Sequence, residues 1–120
     1  MIAVIPIRLP SAANLREHWR VRHRRTKEQR NLVTMFLGKP THPALPVTVR
    51  LTRIAPRALD GDNLQSAFKA IRDSVASWLG VDDADERVVW KYAQAKGGAK
   101  RYAIEIEVVA VVAVATESRE

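Results

Sequence analysis

A continuous apolar stripe at helical spacing, in the middle of the chain, is the feature that most restricts the fold. The residues that recur three and four positions apart along one helix face are Leu64, Phe68, Ile71, Val75 and either Trp78 or Leu79. Such a face indicates an amphipathic helix. Asp62 stands where an N-cap carboxylate belongs, and Gly80 stands where the helix should stop. The pattern therefore predicts one uninterrupted helix from Asn63 to Leu79.

Strand patterns flank this helix on both sides. Residues 47–54 alternate apolar and polar positions, which predicts a half-buried strand, and 2–9 and 87–94 are also predicted as strands. A last strand is predicted from Lys100 to near Ala115, after a hairpin turn at 96–98.

The remaining elements complete the fold prediction. Residues 10–24 are predicted to be irregular, within a basic arm that spans 10–30. Thr26 begins a capping box, which predicts a short helix that ends at Gly38. The order strand, helix, strand, helix, strand, strand predicts one α+β domain over 1–120. We expect a mixed sheet of about four strands packed with two helices, and a C-terminal tail at 116–120.

Composition excludes several classes of protein. The chain has 120 residues, which suits one domain, and no cysteine, which excludes disulfide scaffolds, thiolate zinc sites and iron–sulfur clusters. The longest uncharged apolar run, Val108 to Thr116, is too short to span a bilayer. The first ten residues lack a basic region, and Pro6 and Arg8 interrupt their apolar run, so we expect no signal peptide and a cytoplasmic location.

The charge is distributed unevenly along the chain. Residues 1–57 carry twelve basic and two acidic residues, a net +10, whereas 58–120 carry eight basic and eleven acidic residues, a net −3. Guanidinium groups bind phosphate in a bidentate way, and an indole ring can stack on a base. The residues expected to contact nucleic acid are Arg16, Trp19, Arg20, Arg22, Arg24, Arg25, Lys27 and Arg30. A solvated basic helix face is the alternative.

Two acidic groups follow the central strand and the central helix. Asp60 and Asp62 are separated by one glycine, and Asp82 and Asp83 come after the helix stop. Paired carboxylates suit Mg²⁺, which takes oxygen ligands, activates water and stabilises the transition state of phosphoryl transfer. The alternatives are a turn with an N-cap for the first pair and a solvated turn for the second.

The order of these motifs resembles the RusA family of Holliday junction resolvases from bacteria and their phages. The matching features are Asp60-x-Asp62-Asn63-Leu64-Gln65, the helix, Asp82-Asp83, a valine-rich strand and Lys96-Gly97-Gly98. The resemblance covers residues 47–107 and extends weakly to 10–14. It implies an endonuclease that cuts branched DNA in recombination and repair, with Mg²⁺, or Mn²⁺ in its place, as cofactor. It also implies that Asp60, Asp62 and Asp83 are the catalytic, metal-binding acids.

The sequence departs from the family pattern at two places. The family lysine, four residues after the second aspartate, is here Ser66, and Lys69 is the candidate to replace it. A surface lysine whose stem packs on the helix is the alternative for Lys69. The turn after Asp83 is longer than in the family, which makes Asp85 a possible substitute ligand.

The length of the central helix bears on assembly. A helix from Asn63 to Leu79 is about 25 Å long, so Asp83 begins far from Asp62 in the same chain. Either the loop after the helix folds back, or an antiparallel partner helix in a two-fold dimer brings Asp83 to the first pair. We favour the second arrangement, a homodimer with active sites shared between its subunits. The apolar run 108–114 suits such pairing or a central buried strand. The rival functions are a non-catalytic DNA-binding protein on the same fold and a basic protein-interaction module.

Overall fold

The computed structural model describes residues 1–11, 18–41 and 43–111. The elements in chain order are β1 (Ile2–Ile5), α1 (Trp19–Leu37), β2 (Val47–Ala55), α2 (Gly61–Ala67), α3 (Lys69–Leu79), β3 (Val88–Lys96) and β4 (Ala103–Ala110). This order confirms the predicted α+β fold, with the central helix divided into α2 and α3. In the described ranges, no helix has both the length and the apolar character that crossing a bilayer demands.

The described strands form one mixed sheet in the order β1-β4-β2-β3. β2 runs parallel to β3 and antiparallel to β4, and β1 runs antiparallel to β4. The predicted hairpin between the last two strands is wrong, because β4 lies between β1 and β2 and does not neighbour β3. Gly97 instead permits a close crossing: a Cβ there would lie 2.7 Å from the carbonyl oxygen of Arg101.

The core lies between the helices and one face of the sheet. Every second residue of β2 points to this face, and Val47, Val49 and Leu51 are fully buried there. The helix face predicted from the sequence is buried at Leu64, Phe68, Ile71, Val75 and Leu79, whereas Trp78 is half-buried. Ile104 and Ile106 of β4 are also buried. Burying this much apolar surface is the main stabilising contribution to the fold. Arg50 and Lys91, on the opposite face of the sheet, are exposed.

Two predicted elements have the right place but different bounds. β1 ends at Ile5, not at Leu9, because Pro6 has no N–H to donate to a neighbouring strand. The central helix is interrupted at Phe68, whose N–H is shared between the carbonyls of Leu64 and Gln65 at 3.2 Å each. Arg72 still donates to the Phe68 carbonyl at 2.8 Å, so helical bonding continues into α3.

The predicted start of α1 is wrong. The helix begins at Trp19, within the segment predicted to be irregular, and Thr26 lies inside it. His18 is the N-cap, with its Nδ1 accepting the N–H of Arg20 at 3.1 Å. The predicted end at Gly38 is confirmed, with a positive φ of 80°. Three parts of the chain lie outside the described residues: 12–17 of the basic arm, which include Arg16; the single residue His42; and 112–120. The last of these contains the end of the predicted last strand and the predicted tail 116–120.

Candidate functional site

Helix α1 runs parallel to the segment formed by α2 and α3, so the N-terminal ends of α1 and α2 lie at the same end of the molecule. Arg30 of α1 forms an ion pair with Asp73 of α3 at 3.3 Å. Further along, the N–H of Thr41 donates to the carbonyl of Trp78 at 2.9 Å. Since later residues of α1 meet later residues of α3, the start of α1 lies toward the start of α2. The most basic part of the chain is therefore near the Asp60–Asp62 pair.

A cleft of about 490 Å³ separates α1 from α2 and α3. Among the described residues, its walls carry four cations, Arg22, Arg25, Arg30 and Lys69, and one carboxylate, that of Asp73. The carboxylate is already paired with Arg30. An excess of cations in a groove raises the local concentration of anions such as the DNA phosphates.

Most of the residues expected to contact DNA are exposed on α1. Trp19, Arg20, Arg22, Arg24, Lys27 and Arg30 are exposed, and Arg25 is half-buried beside the cleft. The indole of Trp19 is 64% exposed, and the guanidinium of Arg20 lies 5.3 Å from its ring centroid. This cation–π contact holds the ring near the start of α1 while leaving much of its surface to solvent.

Asp60 and Asp62 are both exposed at the start of α2. Asp60, not Asp62 as predicted, is the N-cap, and its Oδ1 accepts the N–H of Asn63 at 3.0 Å. Asp62 lies in the first turn. The preceding loop is tied to the end of β3, because the Gln94 amide accepts from the N–H of Leu59 at 2.8 Å and donates to its carbonyl at 2.7 Å. The acidic pair therefore follows a loop anchored at the C-terminal end of β3.

Asp83 is fixed near the other end of β3. Its carbonyl oxygen accepts from Arg72 at 2.8 Å and from the indole N–H of Trp90 at 3.0 Å. The Arg72 Nε lies 3.5 Å from the Asp83 carboxylate, and Arg72 also stacks on Trp90 and donates to the hydroxyl of Tyr92. These contacts hold the loop after α3 beside β3.

One chain does not bring the three predicted metal ligands together. From Gly61 to Leu79 the helical segments extend about 27 Å. Because Arg72 and Trp90 hold Asp83 at the far end, the loop does not fold back toward Asp60. Within the described ranges, no three His, Cys, Asp or Glu side chains are grouped closely enough to hold a metal ion. A metal site with all three acids would therefore require the dimeric alternative.

The neighbouring acids have local partners. Both carboxylate oxygens of Asp85 accept from the guanidinium of Arg87, at 3.0 and 2.8 Å. Hydrogen bonds from the Arg87 side chain and backbone lower the pKa of Asp85 to about 2. Asp82 accepts the N–H of Ala84 at 2.9 Å, an Asx turn. Asp85 is therefore committed to Arg87, which makes it a poor substitute ligand.

Ser66 and Lys69 lie on the cleft wall of α2 and α3. Both residues are exposed and face the same cleft as Arg22 and Arg25. Lys69 thus belongs to the group of cleft cations. Its ammonium adds to a positive surface that leads along the helices toward Asp62.

Sequence reasoning missed Arg53, a buried cation that supports the loop before Asp60. Arg53 is 7% exposed and donates to the carbonyls of Leu9 at 2.8 Å and Arg57 at 2.7 Å. Burial lowers its pKa from the ordinary arginine value. The position of Arg53 in the sequence could have predicted its burial, because Arg53 occupies an inward-facing position in the apolar–polar alternation of β2.

We expect Arg53→Lys to destabilise the protein by about 2 kcal/mol, because one ammonium cannot reproduce the two directed bonds of the guanidinium. Denaturant unfolding monitored by tryptophan fluorescence measures the change. Arg50→Lys, on the exposed face of the same strand, is the matched control and should stay within about 0.5 kcal/mol of wild type. Equal losses in the two variants would contradict a bridging role for Arg53.

No protein-family model and no curated protein matches this chain. The likeness to RusA resolvases thus depends on the order of the sequence motifs. Any functional assignment has to be carried by the arrangement of the acidic pair, the basic helix and the cleft.

Proposed function

We propose that the protein is a Mg²⁺-dependent endonuclease that cuts branched DNA such as Holliday junctions. The observation that carries this proposal is the position of an exposed carboxylate pair, Asp60 and Asp62, toward the end of the helix layer where the basic face of α1 begins. Carboxylates alone repel a phosphodiester, whereas cations nearby attract it. The combination suits a site that must hold a divalent cation and a DNA strand together.

The acidic pair fits a magnesium ion. Mg²⁺ commonly takes one or two protein carboxylates and keeps several waters. Asp60 uses one carboxylate oxygen as the N-cap of α2, and this hydrogen bond orients its carboxylate. Asp62 is exposed within the first turn of the same helix. When bound, the ion supplies an activated water and stabilises the charge of the phosphoryl transition state. We assign Asp60 and Asp62 as ligands from one subunit and Asp83 as a ligand from the other.

The cations of α1 and the cleft serve to hold the DNA backbone. Arg20, Arg22 and Arg24 present guanidinium groups for phosphates, and Trp19 presents an exposed ring for an unstacked base at the branch point. Lys69 lies on the cleft wall toward Asp62, and we assign it to offset charge that develops on the cleaved phosphate. Binding through these groups should weaken steeply as salt is raised.

A two-fold homodimer suits both the site and the substrate. Asp83 is held at the opposite end of β3 from Asp60, so an antiparallel partner is needed to place the three acids together. A four-way junction has approximate two-fold symmetry, which an isologous dimer matches with two equivalent sites. Such an enzyme would act where chromosomal or phage DNA is found, in the bacterial cytoplasm.

Incubation with a labelled synthetic four-way junction tests this function in one gel. We expect paired nicks near the branch point with Mg²⁺, no nicks with EDTA, and no cleavage of a linear duplex of the same sequence. Mn²⁺ should replace Mg²⁺, because it accepts the same oxygen ligands. Cleavage that persists in EDTA would contradict the metal role.

A junction-binding protein without catalytic activity is the second candidate. It is favoured by Ser66 at the position where the resembling family has lysine. This candidate predicts a shifted junction band but no nicks at any divalent cation. A basic protein-interaction module, in contrast, predicts no preference for the junction over the duplex and a weak dependence on salt.

A further inference from the structure

We propose that a second cleft, formed where the chain leaves β2, binds the terminal phosphate of a nucleotide or of a nucleic-acid strand. The inference goes beyond the proposed nuclease and does not depend on it. The cleft has a volume of about 310 Å³, and its walls come from residues 8–11, from 53–57 and from Tyr102, just before β4. We call it the arginine cleft, after Arg8, Arg53 and Arg57.

The arginine cleft carries an excess of positive charge. Among the described residues that line it, three are cations and none is a carboxylate. The cleft between α1 and α3 differs in this respect, because Asp73 there is paired with Arg30. Three guanidinium groups around a small volume create a positive potential that attracts anions.

Arg53 forms the buried wall of the cleft. Its Nε and Nη1 donate to the carbonyls of Leu9 and Arg57, and these two bonds fix the plane of the guanidinium. Its Nη2 has no hydrogen-bond partner among the described residues. Burial lowers the pKa of Arg53, Tyr102 opposes this shift, and Arg8 adds to it. A fixed guanidinium with donors to spare, next to a second cation, is preorganised for an anion.

Two other side chains add to the polar lining. Ser11 is 8% exposed, and its Oγ has no hydrogen-bond partner. A buried hydroxyl without a partner is unfavourable, and a phosphate oxygen in the cleft would supply the missing acceptor. The guanidinium of Arg8 lies 4.5 Å from the ring centroid of Tyr102, and this cation–π contact holds Arg8 at the cleft.

The charge of the cleft indicates which kind of phosphate it takes. A terminal phosphate carries a charge of about −2 at neutral pH and has three acceptor oxygens. A phosphodiester within a strand carries a single negative charge. Guanidinium groups bind phosphate oxygens in a bidentate way, so three arginines suit the more highly charged group. The arginine cleft therefore fits a phosphate monoester better than the backbone of an intact strand.

The wall of the arginine cleft continues toward the acidic pair. Arg53 and Arg57 also line a neighbouring cleft of about 250 Å³ that extends to Gln94. The side chain of Gln94 binds the main chain of Leu59, next to Asp60. Arg57 and Asp60 are three residues apart in sequence, so their Cα atoms are separated by at most about 11 Å. The cleft is thus placed to hold the end of a strand beside the Asp60 loop.

Short DNA strands of one sequence test this proposal in EDTA, without a metal ion or a junction. One strand carries a 5′ phosphate, one carries a 3′ phosphate, and one carries neither. We expect one phosphorylated strand to bind about tenfold tighter than the unphosphorylated strand, measured by fluorescence anisotropy. Arg8→Gln should remove this preference, and Arg8 is exposed, so the core stays intact. Thymidine 5′-monophosphate, titrated by calorimetry, tests a free nucleotide as the ligand.

Two further variants distinguish the cleft from general DNA binding and from a structural role. Arg24→Gln, which removes the same charge from α1, should weaken the binding of all three strands alike and keep the preference. Ser11→Ala should reduce the preference about threefold without lowering the midpoint of denaturant unfolding, because its hydroxyl has no partner to lose.

The arms of the experiment identify the source of the phosphate. Binding of thymidine 5′-monophosphate that Arg8→Gln removes, with equal affinity for the three strands, supports the site with a free nucleotide as its ligand. Equal affinities without nucleotide binding overturn the proposal, and so does a phosphate preference that Arg8→Gln retains. Because no arm contains a metal ion or a junction, failure of the nuclease proposal leaves this one in place, and the reverse also holds.

Discussion

Asp62→Asn is expected to abolish junction cleavage, with a loss of at least about a thousandfold in rate, while junction binding stays within about twofold of wild type. Asp62 is exposed in the first turn of α2, so its side chain does not support the core. Asparagine keeps the size of the side chain but removes the charge that a hard divalent cation requires. Without the metal ion, the phosphoryl transition state loses its stabilisation and the activation free energy rises by several kcal/mol. This rise corresponds to the expected loss in rate.

The matched control for this variant is Asp82→Asn. Asp82 is also an exposed carboxylate, and asparagine can keep its hydrogen bond to the N–H of Ala84. We expect wild-type rates of cleavage in single-turnover assays with Mg²⁺. Asp62→Asn with normal cleavage would contradict the metal assignment, and so would a folded Asp62→Asn protein that loses binding and cleavage equally.

Asp60→Asn provides a further comparison at the same site. Asparagine is as good an N-cap as aspartate, so α2 should keep its first turn and the protein its stability. Cleavage should nevertheless fall as far as in Asp62→Asn. The comparison thereby separates the capping role of Asp60, which the structure contains, from the metal role, which we propose.

The helices and strands with strong periodicity were predictable from the sequence. The stripe from Leu64 to Leu79 and the alternation along β2 each depend on local spacing, and the buried residues follow both patterns. The start of α1 was not predictable in this way. Its first two turns consist largely of charged residues with no apolar period, and a histidine provides the cap.

Strand pairing was beyond local patterns. Two glycines between strand-like segments favour a hairpin, but β4 pairs with β1 and β2 through contacts distant in sequence. The turn signal near Gly97 had a different cause, namely the 2.7 Å approach of the Arg101 carbonyl oxygen to the place of a Cβ. The glycine therefore indicates that a side chain is excluded at this position, but it does not indicate which strands pair.

The candidate site was predictable in its parts and not in its arrangement. Asp60, Asp62 and the basic residues of α1 carry clear sequence signals, yet their common end depends on the parallel course of the helices. The hold of Arg72 and Trp90 on Asp83 arises because β3 lies beside α3, which required the sheet order. Arg53 was missed because a buried arginine is uncommon at an inward strand position.

The second large effect we expect is that cleavage returns when two inactive variants are mixed. Asp62→Asn and Asp83→Asn homodimers should each fail to cut a junction, because each lacks a ligand in both sites. A heterodimer with shared sites carries both substitutions in one site and neither in the other. Random exchange of subunits makes half of the dimers heterodimers, so about a quarter of the wild-type sites become active.

The product of the mixture is as informative as its rate. A heterodimer with one intact site should nick one strand of the junction and leave the opposite strand whole, whereas wild type makes the paired incisions that resolve the junction. A denaturing gel distinguishes the nicked junction from linear products. Sites built within one chain predict a different result, because each chain of the mixture would then carry its own damaged site and the mixture would stay inactive. Asp82→Asn mixed with Asp62→Asn is the control: its heterodimer has one damaged and one intact site in either arrangement. The singly nicked junction that this heterodimer makes, and that neither homodimer makes, establishes that subunits exchange under the conditions used.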